Sequence, residues 1–206
     1  MNVVVVDLGV GNIRSLTSAL TYLGAMHVVT ADPAALEGAS HVILPGVGAF
    51  DAAMKVLRAG AMGDAIHRHA TVLRRPLLGV CLGMQLLFEG SEEGEIAGLG
   101  LMEGQFVRLS AEAGGTRKVP HVGFSSVYGF DDVALFRGFE PRPNFYFTHS
   151  YALPNVPRDV NTALCDHARP FVAAFQRDNL CGAQFHPEKS QSAGLRLIAN
   201  FLELVH

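Results

Sequence analysis

Leu77-Leu78-Gly79-Val80-Cys81-Leu82-Gly83-Met84-Gln85 runs from a buried-strand pattern through a cysteine into a helical one. Its Gly79-x-Cys81-x-Gly83 core is the thiol counterpart of the Gly-x-Ser-x-Gly nucleophile elbow, where a sharp strand-to-helix turn holds the nucleophile on strained backbone. The glycines permit that turn, and the positive end of the following helix favours thiolate over thiol. A packing cysteine between two loop glycines is the alternative, because free cysteine is among the most buried residue types.

Upstream of the elbow, short apolar runs alternate with helical patterns. Residues 3–6 read as a buried strand, followed by a helix with Ile13, Leu16, Leu20 and Leu23 on one face, Asn12 as its N-cap and Gly24 as its stop. Strands are expected at 27–30, 41–44 and 77–80, with helical stretches over 50–57 and 64–71. The helix after the elbow carries Leu86, Leu87 and Phe88. Such alternation predicts an α/β fold: a mostly parallel central sheet flanked by helices.

Downstream the character changes. Strand patterns at 104–109, 119–127, 145–153, 162–165, 171–176 and 180–185 are separated by turn residues, and Arg177-Asp178-Asn179 suits a hairpin. Additional antiparallel strands are therefore expected in the C-terminal half. A last helix over 193–205 places Ile198, Phe201, Leu202 and Val205 on one apolar face. With 206 residues and neither repeat nor linker, 1–206 reads as a single domain.

Bulk properties exclude several classes. Hydrophobic residues make up 49% and charged residues 17%, the balance of a soluble globular chain. A formal net charge of −3 offers no basic field for nucleic acid. Three scattered cysteines suit a reducing compartment rather than a disulfide framework. No apolar stretch approaches the ~20 residues that span a membrane, and no signal peptide is legible, so a cytoplasmic location is expected.

A thiolate nucleophile commonly needs a base, and the base an orienting partner. Gln184-Phe185-His186-Pro187-Glu188-Lys189 offers both: in an extended chain His186 and Glu188 share a face. The competing reading is a strand end before a helix. For the developing oxyanion, one donor is the Leu82 N–H. A second lies in Pro45-Gly46-Val47-Gly48-Ala49-Phe50, which a plain structural turn also explains. No Lys-Ser/Thr follows that loop, so it is not a P-loop. Arg14 occupies the third glycine position of a dinucleotide fingerprint begun at Gly9, which excludes that motif. His67 and His69 diverge on a helix and make no zinc pair. Cys165 and Cys181 read as packing residues, and Phe145, Tyr146 and Phe147 as core or interface aromatics.

Together these motifs resemble the class I, or triad, glutamine amidotransferases, and more narrowly the glutaminase subunits of imidazole glycerol phosphate synthases. The resemblance rests on Asp7-Leu8-Gly9-Val10-Gly11-Asn12, the 44–50 and 79–85 segments, Lys118-Val119-Pro120-His121-Val122-Gly123, Phe145-Tyr146-Phe147-Thr148-His149-Ser150-Tyr151 and Gln184 to Ser190. It implies a class I amidotransferase fold, with Cys81 as nucleophile, His186 as general base and acid, and Glu188 as orienting carboxylate. Val47 and Leu82 would supply the oxyanion donors. Gly48, Gln85, Glu93, Ser150 and Tyr151 would bind glutamine, although a solvated acidic loop explains Glu93 equally well. The partner implied is a (β/α)8-barrel synthase subunit, met through Asn12, Phe124, Tyr146 and Lys189. No metal or cofactor is implied. Phe124-Ser125 stands where relatives usually carry Trp-Asn, and Leu8 where they carry Tyr. The competing functions are a stand-alone γ-glutamyl cysteine hydrolase and a non-catalytic regulatory subunit.

Overall fold

In the computed structural model, residues 1–9, 13–110, 118–131, 133–156 and 159–205 are described. Strand β1 (Val3–Val6) is buried at every position, as a strand covered on both faces must be. Its side chains alternate. Val3 and Val5 join one apolar cluster with Leu16, Leu20, Leu197 and Phe201, while Val4 and Val6 join another with Phe50, Met54, Leu57 and Ile66. The two-residue period thus divides the core into two layers, one on each face of the sheet.

The remaining elements follow as α1 (Ile13–Tyr22), β2 (His27–Thr30), β3 (His41–Gly46), α2 (Phe50–Ala59), α3 (Met62–Thr71), β4 (Leu77–Cys81) and α4 (Leu82–Leu86). After these come β5 (Gly90–Ser91), β6 (Gln105–Arg108), β7 (His121–Tyr128), β8 (Asn144–His149), β9 (Tyr151–Ala152), β10 (Asn161–His167), β11 (Arg169–Arg177), β12 (Leu180–Ala183) and α5 (Gln191–Leu202). Among the described residues a nine-stranded sheet runs in the order β2-β1-β3-β4-β12-β11-β10-β7-β8, and a three-stranded sheet in the order β5-β6-β9. Strands β2, β1, β3, β4 and β12 are parallel neighbours. From β12 to β8 the pairing is antiparallel. This is an α/β architecture with helices over a large mixed sheet. No described helix is long and apolar enough to cross a membrane.

Three expectations need correction. The run 145–153 is not one strand: it breaks at Ser150, β8 pairing with β7 and β9 with β6. His149 Nδ1 donates to the Tyr151 carbonyl at 2.8 Å, which closes a tight turn there. The helix after the elbow stops at Leu86, because Leu87 and Phe88 bond three residues back as the chain turns toward β5. The last helix ends at Leu202, and Val205 is 88% exposed rather than on its apolar face. The 177–179 hairpin is realised as a two-residue connection, with Arg177 paired to Leu180 and Asp178 at φ +53°.

Candidate active site

Cys81 ends β4 at φ +54° and ψ −111°. A non-glycine residue in that region is strained, and the surroundings must hold it there. They do so by close approach. A Cβ at Gly79 would lie 2.7 Å from the Met84 backbone, and one at Gly83 would overlap the Leu44 carbonyl. Helix α4 therefore packs back against its own strand and against β3. Gly46 pairs with Cys81 across the β3–β4 ladder, so the Val47-Gly48 loop leaves β3 directly beside the start of α4. Gly48 takes φ +101°, open to glycine and costly for any other residue. Val47 is half-exposed. The Leu82 N–H belongs to the first turn of α4, whose amides have no intrahelical acceptor.

His186 and Glu188 meet by a route other than strand alternation. His186 is extended and its N–H donates to the Tyr146 carbonyl at 2.8 Å. Pro187–Lys189 then forms a 3-10 turn with His186 at its N-cap, folding Glu188 back toward the ring. His186 Nδ1 lies 2.7 Å from Glu188 Oε1, and both side chains are buried. A carboxylate only accepts, so Nδ1 carries the proton. Burial disfavours the charged ring more than any other single influence. Cys81 and Glu188 together outweigh it, and push His186 up to about 9.

A third polar side chain completes this cluster, one to which the sequence motifs assign no role. Gln184, fully buried, places Nε2 3.8 Å from Cys81 Sγ. Its Oε1 accepts from Gln85 Nε2 at 3.2 Å. The signal that could have found it is the two-residue spacing of Gln184 and His186 in an otherwise apolar strand end. The Thr148 carbonyl, at the end of β8, lies 4.0 Å from Cys81 Sγ. Gln85 Oε1 is buried without a partner among the described residues.

Glu93 sits at the rim. Its Oε2 accepts from the Phe50 N–H at 3.1 Å, tying the acidic loop to the start of α2. Partial burial raises its pKa, the Phe50 bond lowers it, and Asp51 raises it further, for a net upward shift. Ser150, between β8 and β9, and Tyr151, which opens β9, are half-buried. The Ser150 carbonyl accepts from the Leu109 N–H at 2.8 Å.

On the outer face of β7 and β8, Val122 and Phe124 are 57% and 52% exposed. The Phe124 ring packs edge-on against Tyr146 at 5.5 Å, and Lys189 Nζ lies 5.7 Å from the Tyr146 ring centre. Because Tyr146 also bridges to His186, this patch adjoins the Cys81 cluster. Asn12, as cap and as interface residue, lies outside the described residues. Cys165 and Cys181 are buried in strands. His69 is buried against the Pro76 carbonyl, while His67 is on the exposed side of α3.

Similarity to known proteins matches this geometry. Relatives described as "Imidazole glycerol phosphate synthase subunit HisH" include one from Synechococcus elongatus, 43% identical, covering 98% of this chain and 93% of that protein. Another, from Moorella thermoacetica, is 45% identical and covers 98% and 95%. In fold, the chain resembles a glutamine amidotransferase crystal structure at TM-score 0.76, 20% identity and 97% coverage of both chains. It also resembles a glutamine amidotransferase from Thermotoga maritima, at TM-score 0.62 and 18% identity, covering 98% of this chain and 83% of that one. The family model "Glutamine amidotransferase class-I" matches residues 4–205, and the chain belongs to that family.

Proposed function

We propose that this chain, one amidotransferase domain over 1–206, is the glutaminase subunit of an imidazole glycerol phosphate synthase. The observation that carries this reading is Cys81 held at positive φ between β4 and α4 with the His186–Glu188 pair beside it.

In this reading Cys81 Sγ, as thiolate, attacks the carboxamide carbon of glutamine. The oxyanion forms beside the Val47 and Leu82 amides, between the 46–48 loop and α4. The tetrahedral intermediate collapses, the C–N bond breaks, and ammonia departs with the proton from His186 Nε2. Water then attacks the thioester as His186 takes its proton. Glutamate leaves and the thiolate is restored. Glu188 holds the ring in the Nδ1–H form throughout and stabilises its cation.

Gln85 and Gly48 border the amide end of the substrate, Ser150 and Tyr151 its main-chain end, and Glu93 its ammonium group. Ammonia then passes to a (β/α)8-barrel synthase subunit, which makes imidazole glycerol phosphate and aminoimidazole carboxamide ribotide. The exposed Val122 and Phe124, with Tyr146 and Lys189, support a docking face next to the base. Asn12 joins that face by the family resemblance. A cytoplasmic location follows from the biosynthetic role.

Glutamate release, measured with and without the barrel synthase and its nucleotide ligand, tests the proposal. Release that is low alone and rises on assembly supports it. Equal release in both conditions favours a stand-alone hydrolase, and none in either favours a regulatory role.

A further inference from the structure

Behind the substrate edge lies a set of buried histidines that the reaction does not use. His121 opens β7, His149 ends β8 and His167 ends β10, at 3%, 6% and 9% exposure. His121 Nδ1 lies 3.0 Å from His149 Nε2. His121 Nε2 lies 2.8 Å from Ser125 Oγ, and His149 Nδ1 lies 2.8 Å from the Tyr151 carbonyl. His167 Nε2 meets the Lys118 carbonyl at 2.8 Å and its ring stacks on His121 at 4.1 Å.

These partners fix the direction of every bond in the chain. A carbonyl only accepts, so His149 carries its proton on Nδ1. With His149 neutral, its Nε2 must accept, and His121 must donate from Nδ1. With His121 neutral, its Nε2 accepts in turn, and Ser125 supplies the hydroxyl proton. Burial favours the neutral form of His149, because charge is costly to take out of water. Burial, more than any other influence, holds His149 down at about 4, the Tyr151 bond opposing.

We propose that Ser125, His121 and His149 form a one-directional hydrogen-bond chain that positions the Ser150-Tyr151 main chain for glutamine, with Ser125 as its terminal donor. The chain ends on the Tyr151 carbonyl, which closes the turn between β8 and β9, three residues from the Thr148 carbonyl that approaches Cys81. Its other end is Ser125, the neighbour of the exposed Phe124 on β7. Losing the Ser125 hydroxyl removes the donor to His121 Nε2 and loosens the ring pair that holds Tyr151. This role rests on the glutaminase reading for its substrate, but not for its protonation pattern.

Nitrogen-15 NMR of the histidine-labelled full chain reads that pattern directly. Nδ1–H tautomers are expected for His121 and His149, and Nε2–H for His167. In the assembled enzyme, Ser125→Ala should raise KM for glutamine about fivefold, the scale of one hydrogen bond, with kcat within twofold. Ser125→Thr, which keeps the hydroxyl, should restore KM. An Nε2–H tautomer on His149, or an unchanged KM in Ser125→Ala beside an active wild type, would overturn the proposal. The tautomer arm decides it even in a chain that hydrolyses no glutamine.

Discussion

Cys81, His186, Glu188 and Gln184 share one buried corner, and each substitution there has a separate signature. Cys81→Ala should cut glutamine hydrolysis more than about a thousandfold while sparing synthesis fed with ammonium salts. Glutamate release and imidazole glycerol phosphate formation, assayed side by side, check this. Retained hydrolysis would remove Cys81 from the mechanism. Gln184→Leu strips the donor from Cys81 Sγ and orphans Gln85 Nε2. A buried donor left unmade costs about 1–3 kcal/mol, which urea unfolding of the variant should register.

The β4–α4 elbow and the loop after β3 interlock through backbone rather than side chains. A methyl group at Gly83 would collide with the Leu44 carbonyl, and neither side of that contact has a flexible end to move. Gly83→Ala should therefore lose about 3 kcal/mol of stability, at the upper end of the range for overpacked cores. Thermal unfolding will show it, and a wild-type melting profile would mean the interlock is looser than described. Strand β7 contributes differently, presenting Phe124 outward while His121 and Ser125 face inward. Phe124→Ala should weaken synthase binding about tenfold or more, as removal of a central aromatic anchor does. Titration calorimetry with the synthase partner measures this.

Across the molecule, two histidines shape stability in opposite directions with pH. His186 is raised from 6.5 to about 9. Its stabilising contribution is complete below 6.5 and is lost as pH climbs through about 9. His149 is lowered from 6.5 to about 4. The unfolded chain binds that proton first, so stability is lost as pH falls from 6.5 toward 4. His69, pushed down chiefly by burial, adds to the acid limb. The expected profile peaks near 6.5 and falls by up to about 3 kcal/mol on either side. Denaturant unfolding across pH 4–10 tests it: Glu188→Gln should flatten the alkaline limb, and His149→Gln the acid limb.

Local pattern was enough for much of this molecule. The apolar runs at 3–6, 27–30 and 77–80, the α/β alternation and the elbow glycines are readable because each depends on short-range periodicity or backbone freedom. The family motifs at Cys81 and His186-Pro187-Glu188 are legible for the same reason. Contacts between distant segments are not. The 3-10 turn that brings Glu188 to His186, the break at Ser150, the Gln85–Gln184–Cys81 bonds and the Ser125–His121–His149 chain each depend on which strands become neighbours. Strand order is set when the two core layers close over the sheet, and no window of adjacent residues encodes it.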